Sequence, residues 1–241
     1  MNGFSGAPTI YDLNPFAESA VQQHQFGARG ESSDGRVFRY AKLGEAVGAG
    51  ELTVSPAIDT LEINMAVTVA APIGAKQVTI THAATTAAAD EYAEGFLIVS
   101  AGTGIGQTLR VSGHVALTSG GTLQVIKLLD PVQVALATVD STVDLERNPF
   151  KNVVTTASAV TVPTGGALRA FTSGYFGWLQ TRGVFGARAD GTVAAGYELQ
   201  ADGSTAGDVE LLGTYTQAYK VGNAIQATAS GKYHAIYLTI D

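Results

Sequence analysis

Residues 61–69, Leu61-Glu-Ile-Asn-Met-Ala-Val-Thr-Val69, place large apolar side chains at every second position: Leu61, Ile63, Met65, Val67 and Val69. Residues 233–240 repeat the pattern, with His234, Ile236, Leu238 and Ile240 on one side and Tyr233, Ala235, Tyr237 and Thr239 on the other. Successive side chains of a strand point to opposite faces, so a period of two reads as a strand with one face buried. Between these runs, from about Gly35 to Asp241, short Val/Thr/Ala/Leu segments alternate with glycine turns.

Working outward, the alternation predicts strands at 36–41, 51–55, 60–69, 77–81, 96–100, 107–112, 122–128 and 132–137. Beyond Asn148-Pro149 it predicts them at 152–155, 159–162, 168–172, 175–182, 184–189, 208–213, 224–228 and 233–240. Turn signals at Asp34-Gly35, Asp190-Gly191 and Asp202-Gly203, with strands every 8–12 residues, are the pattern of a sandwich or barrel. One helix is expected at Thr86–Glu94, where alanines precede a stop at Gly95. The fold class is therefore all-β, mainly an antiparallel sandwich or barrel, with an irregular N-terminal arm and one short helix.

Three regions are expected: an arm at 1–35, a β domain at 36–147 and a second at 148–241. The last boundary follows from Pro149, which removes a ladder donor and disfavours helix at the residue before it. Phe16–Gln25 reads as two or three helical turns, too short to hold without a surface beneath them. That surface is either a partner or the chain's own domain.

Charged residues make up 15% of the 241 positions, against about 25% in typical soluble domains. Low charge weakens the repulsion that keeps proteins apart, which favours an assembled state; a monomer with Thr/Ser/Gln-rich strands facing water is the alternative. The net charge of −7 argues against general nucleic-acid binding, which needs clustered cations. Residues 147–189 nevertheless hold Arg147, Lys151, Arg169, Arg182 and Arg188 without an acidic group. Such a stretch suits an acidic face on a neighbour.

Cysteine is absent, which excludes disulfides and thiolate chemistry. Met1–Pro8 has no charged n-region or apolar h-region, and no run reaches the length of a membrane helix, so synthesis in a cytoplasm without export is expected. Gly102-Thr-Gly-Ile-Gly106 fits neither dinucleotide nor Walker spacing and reads as a hairpin turn. The four histidines, His24, His82, His114 and His234, share no metal-ligand spacing, and no G-x-S-x-G is present. Asp90, Glu91 and Glu94 read as the solvated face of the short helix. No catalytic, metal or cofactor site is expected. Tyr175, Phe176 and Trp178 stand within four positions and serve either the core or an interface.

Two stretches resemble virion proteins of tailed bacteriophages, the head decoration or capsid cement proteins. One is Gln25-Phe-Gly-Ala-Arg-Gly-Glu-Ser-Ser-Asp-Gly-Arg-Val-Phe-Arg-Tyr-Ala-Lys42. The other is Gly174-Tyr-Phe-Gly-Trp-Leu-Gln-Thr-Arg-Gly183, continuing through Ala189-Asp-Gly-Thr-Val-Ala-Ala-Gly196 to Tyr237–Asp241. Between them, Tyr92–Val99 and Gly102–Val111 resemble the same group's central portion. The resemblance implies a β-rich protein that binds the exterior of an icosahedral head, often as a trimer. Its partners would be the major capsid protein lattice and copies of itself, with no nucleic acid, membrane or cofactor involved. Phe26, Arg29, Arg36, Phe38 and Tyr40, with Tyr175 and Trp178, are the residues expected at a capsid or protomer contact. A tail-tube or fibre-adhesin role and a carbohydrate-binding module remain open alternatives.

Overall fold

The computed structural model describes residues 10, 13–57, 62–82, 86–119, 121–138, 140–155, 161–213 and 219–241. The chain is all-β. In order, the strands are β1 (Glu18–Ser19), β2 (Arg29–Glu31), β3 (Val37–Lys42) and β4 (Leu52–Val54). Next come β5 (Met65–Val69), β6 (Gln77–His82), β7 (Phe96–Ala101), β8 (Thr108–His114), β9 (Thr122–Leu128) and β10 (Thr142–Glu146). The last are β11 (Pro163–Gly166), β12 (Phe176–Ala189), β13 (Glu198–Ala201), β14 (Val209–Leu211), β15 (Lys220–Ala224) and β16 (Lys232–Thr239).

They form two compact units, one joining Met1–Ala57 to Pro149–Asp241 and the other comprising Ile58–Asn148. The expected boundary at 35/36 is therefore corrected. Residues 36–57 belong with the C-terminal part because β3 pairs with β12 from Phe176↔Lys42 to Arg182↔Val37, and β4 pairs with β11. The expected break at Asn148-Pro149 coincides with the second boundary.

The inserted unit is a closed antiparallel barrel in the order β10-β5-β6-β9-β8-β7. Closure leaves no unpaired edge. Alternate residues point inward: Val78 and Ile80 on β6, Leu97 and Val99 on β7, Leu109 and Val111 on β8, Val143 and Leu145 on β10. In the 61–69 run, Leu61 lies outside the described residues, Met65 and Val67 enter the core, and Ile63 and Val69 are half-exposed. The pairing of β5 with β6 shifts register between Val67 and Val69, which turns Val69 outward.

The expected helix at Thr86–Glu94 is not formed. Residues 89–94 are turns, with Asp90 and Glu94 at φ 59° and 62°, which no helix continues through. Tertiary contacts override alanine's preference: Ala87 bridges to Leu117, and Tyr92 is fully buried in the barrel core. Helical turns at 16–25 are likewise replaced, by β1 pairing with Phe176–Gly177.

The other unit is a ten-stranded sheet organised on β12, which pairs with β1, β3, β11, β14 and β16. The sequence reads β12 as two strands broken at Gly183. The structure runs through it, with Gly183 at φ 98° beside a register shift against β3 between Gln180 and Arg182. Phe185, Leu199, Val209, Val221, Ile236 and Leu238 make one core cluster of this sheet. A second small cluster gathers Phe38, Tyr40 and Trp178. Expected strands at 132–137 and 168–172 reduce to single bridges, the one at 224–228 keeps only Ala224 at the end of β15, and of the one at 159–162 residues 159 and 160 lie outside the described residues.

Candidate functional site

Residues 13–34 are not a free arm. Gly27 N donates to Tyr40 O at 2.8 Å, Tyr40 N to Ala28 O at 3.0 Å, and Gln23 N to the Tyr40 hydroxyl at 2.9 Å. The segment thus pairs with β3 and covers its aromatic side chains. Trp178, 5% exposed, packs edge-on to Tyr40 at 5.2 Å, and His24 lies 5.1 Å and 5.2 Å from the two rings. A cavity of about 140 Å³ opens between them, lined by Leu13, Glu18, Gln23, His24, Tyr40 and Trp178 among others.

This placement corrects part of the expected contact surface. Phe38, Tyr40 and Trp178 are buried within their own unit and offer no side-chain surface to a partner. Phe26 is half-buried and stacks on Phe176, with centroids 6.1 Å apart. Arg29 pairs with Glu31 at 2.8 Å and Arg36 with Asp34 at 2.8 Å. Tyr175 is half-buried, and its carbonyl accepts from Leu43 N at 2.8 Å. Phe38, Tyr40 and Trp178 therefore pack against Leu13 and Ala28 of the N-terminal segment.

Three exposed apolar side chains stand instead on loops at one end of the barrel. Loops 70–76, 102–107 and 129–138 meet there. Gly74 N donates to Val132 O at 2.8 Å, and Ala71 pairs with Leu136. Gln107 clamps the other two loops: its Nε2 donates to Val134 O at 2.9 Å, and its Oε1 accepts from Gln133 N at 2.8 Å and Val134 N at 2.9 Å. The loops so fixed carry Ile73, 70% exposed, Ile105, 67%, and Val134, 49%. Isolated exposed aliphatics need no explanation, but three on interlocked loops at one end of the barrel are a candidate for recognition. The sequence hid it, because the three lie about thirty positions apart: Ile73 between expected strands, Ile105 in a glycine turn and Val134 in the strand expected at 132–137.

The residues considered for chemistry have local duties. Gly102, Gly104 and Gly106 have φ of 75°, 86° and 86°, making the expected hairpin turn between β7 and β8. Its Thr103 donates from both N and Oγ1 to Asp140 Oδ2 at 2.7 Å, so the anion this loop holds is the chain's own carboxylate. Those bonds, the hydroxyl's first, keep the Asp140 carboxyl below the usual range. His114 Nε2 accepts from Tyr92 N at 3.0 Å, and His234 Nε2 from Ala229 N at 2.8 Å. His82 pairs with Glu62 inside the barrel unit. In the acidic group, Asp90 Oδ1 accepts from His114 N and Glu91 binds Arg147.

Compared with known proteins, the chain matches no family model, no curated protein and no solved structure.

Proposed function

We propose that the chain is a structural protein of a tailed-bacteriophage head that decorates the outer surface of the capsid, acting as a homotrimer. The observation that carries the reading is the barrel tip, where Ile73, Ile105 and Val134 present apolar side chains from loops locked by Gln107. A preformed apolar tip loses little conformational entropy on docking. The resemblance of residues 25–42 and 174–183 to capsid cement proteins supports the same reading. A trimer touching several capsid subunits gains avidity from individually weak contacts. A protein that binds only the assembled shell stabilises it by mass action.

The test is co-sedimentation with expanded heads that lack the protein. Saturable binding at fixed stoichiometry is expected, with the protein a trimer by light scattering. A variant carrying Ile73→Ser, Ile105→Ser and Val134→Ser should bind at least about tenfold more weakly, the equivalent of about 1.4 kcal/mol. Its unfolding midpoint should stay within a few degrees of the parent's. Absence of binding by the parent protein overturns the proposal, and stacked rings or open polymers in solution would favour a tail-tube role.

A further inference from the structure

Residues 189–200, Ala-Asp-Gly-Thr-Val-Ala-Ala-Gly-Tyr-Glu-Leu-Gln, are followed by 201–212, Ala-Asp-Gly-Ser-Thr-Ala-Gly-Asp-Val-Glu-Leu-Leu. This is a tandem twelve-residue repeat in which Ala, Asp, Gly, Ala, Glu and Leu recur in register. The fold superposes the two Asp-Gly steps at one place. Val209 of β14 pairs in parallel with Ala189 of β12 and antiparallel with Ala201 of β13, so Asp190 and Asp202 leave their strands at the same end of β14. Asp190 N donates to Val209 O at 2.9 Å and Asp202 N to Asp208 O at 3.0 Å, which fixes both backbones.

The side chains then converge. Ser204 Oγ lies 2.9 Å from Asp202 Oδ1 and 3.5 Å from Asp190 Oδ2. Thr205 Oγ1 lies 3.4 Å from Asp190 Oδ2, and Ser230 Oγ lies 3.0 Å from Asp190 Oδ1. Asp202 Oδ1 also accepts from Ser204 N at 2.6 Å. Asp202 is only 2% exposed, yet its Oδ2 has no hydrogen-bond partner among the described residues. Arg188 does not supply one, for it binds Asp208 through Nε and lies 3.7 Å from Glu51. The Ser204 hydroxyl therefore stands between the Asp190 and Asp202 carboxyls and brings them to one place. A buried carboxylate oxygen without a partner carries a desolvation cost that a bound cation would offset.

We infer that Asp190 and Asp202, with the hydroxyls of Ser204, Thr205 and Ser230, form a binding site for a hard divalent cation of the calcium class. The donors are all oxygen, which suits calcium and offers nothing to softer metals. Hydroxyls on three separate positions and a buried free carboxylate oxygen suit calcium's high and irregular coordination better than the strict octahedron of magnesium. Among the described residues no three His, Cys, Asp or Glu side chains are grouped around a common point, so two carboxylates carry the charge. A site of so few charges belongs to the weak class, with Kd about 10⁻⁴–10⁻³ M. The site departs from the sequence reading, which expects no metal and takes both Asp-Gly pairs as turns.

The experiment titrates the full chain, freed of metal by chelator, with calcium chloride at neutral pH by calorimetry and thermal unfolding. Magnesium chloride and sodium chloride of equal ionic strength run alongside. A saturable one-site heat is expected, with a rise in the unfolding midpoint of about 5 °C at about 10 mM calcium and a smaller rise with magnesium. Asp202→Asn should abolish both responses while folding normally, because its Oδ1 still accepts from Ser204 while the charge is removed. Asp190→Asn should do the same, and Asp144→Asn in the barrel should leave both intact. No calcium response beyond that of sodium chloride overturns the proposal, as does an undiminished response in Asp202→Asn.

Discussion

Arg39 holds Asp241 in a two-point grip, Nε to Oδ2 at 2.7 Å and Nη2 to Oδ1 at 2.7 Å, across 202 positions of sequence. Its remaining Nη1 donates to Gly27 O at 2.9 Å, and Thr181 Oγ1 donates to Asp241 Oδ2 at 3.2 Å. One guanidinium therefore ties β3, the segment before β2 and the residues beyond β16. The Arg39 hydrogen bond keeps the Asp241 carboxyl below its ordinary range, against the opposing effect of burial. A carboxyl depressed by folding contributes stability above its unfolded pKa, and that stability is lost as pH falls through the folded value. Asp241→Asn should lower stability by about 1 kcal/mol at neutral pH, the pair being partly solvated. The difference from the parent should vanish in acid below the ordinary carboxylate range, as read by urea unfolding at the two pH values.

The barrel carries its own core and leaves no sheet edge for another segment to fill. Residues 58–148 expressed alone should fold, giving dispersed amide resonances and a single cooperative urea transition. A disordered fragment would mean that the barrel is held by its flanking chain.

Much of this fold was legible from period two alone. β6, β7, β9 and β16 are found within a residue or two of their expected ends, since each has one buried and one solvated face. β10 lies outside the expected strands although Thr-Val-Asp-Leu-Glu alternates, since only Val143 and Leu145 carry its apolar face. The division into units was not legible. It rests on pairings such as Val54↔Pro163, more than a hundred positions apart, which no local pattern encodes. Trp178 illustrates the same limit: its strand was clear, but only the fold of residues 13–34 over β3 decides that its ring is buried. Asp190 and Asp202 were read correctly as turn residues. Their convergence had one sequence signal, the twelve-residue repeat.

Glu62 and His82 form a buried pair, Oε2 to Nε2 at 2.7 Å, with side chains 1% and 0% exposed. His82 Nδ1 lies 3.0 Å from Thr118 O, so that nitrogen carries a proton and Nε2 faces the carboxyl. Glu62 Oε1 has no hydrogen-bond partner among the described residues, so the pair is held against a desolvation cost. Glu62→Gln should destabilise the barrel by about 3 kcal/mol. Glu62→Met combined with His82→Leu should recover most of that loss, because no charge is then left buried. Urea midpoints of the parent, single and double variants decide it, and additive losses would show that the residues act independently.

Two glycines on neighbouring strands should respond oppositely to the same added methyl group. At Gly166 on β11 a Cβ would lie 2.4–2.7 Å from the ring of Phe185, a core side chain with nowhere to retreat. At Gly186 on β12 a Cβ would meet nothing within 4 Å. Neither backbone is in the left-handed region, so strain from φ does not enter. Gly166→Ala should therefore cost about 1–3 kcal/mol through overpacking. Gly186→Ala should stay within about 0.5 kcal/mol of the parent, as a surface change does. Equal midpoints for the two in urea would mean that β11 can slide away from Phe185, and that β12 is less tightly seated against its neighbour than the ring contact implies.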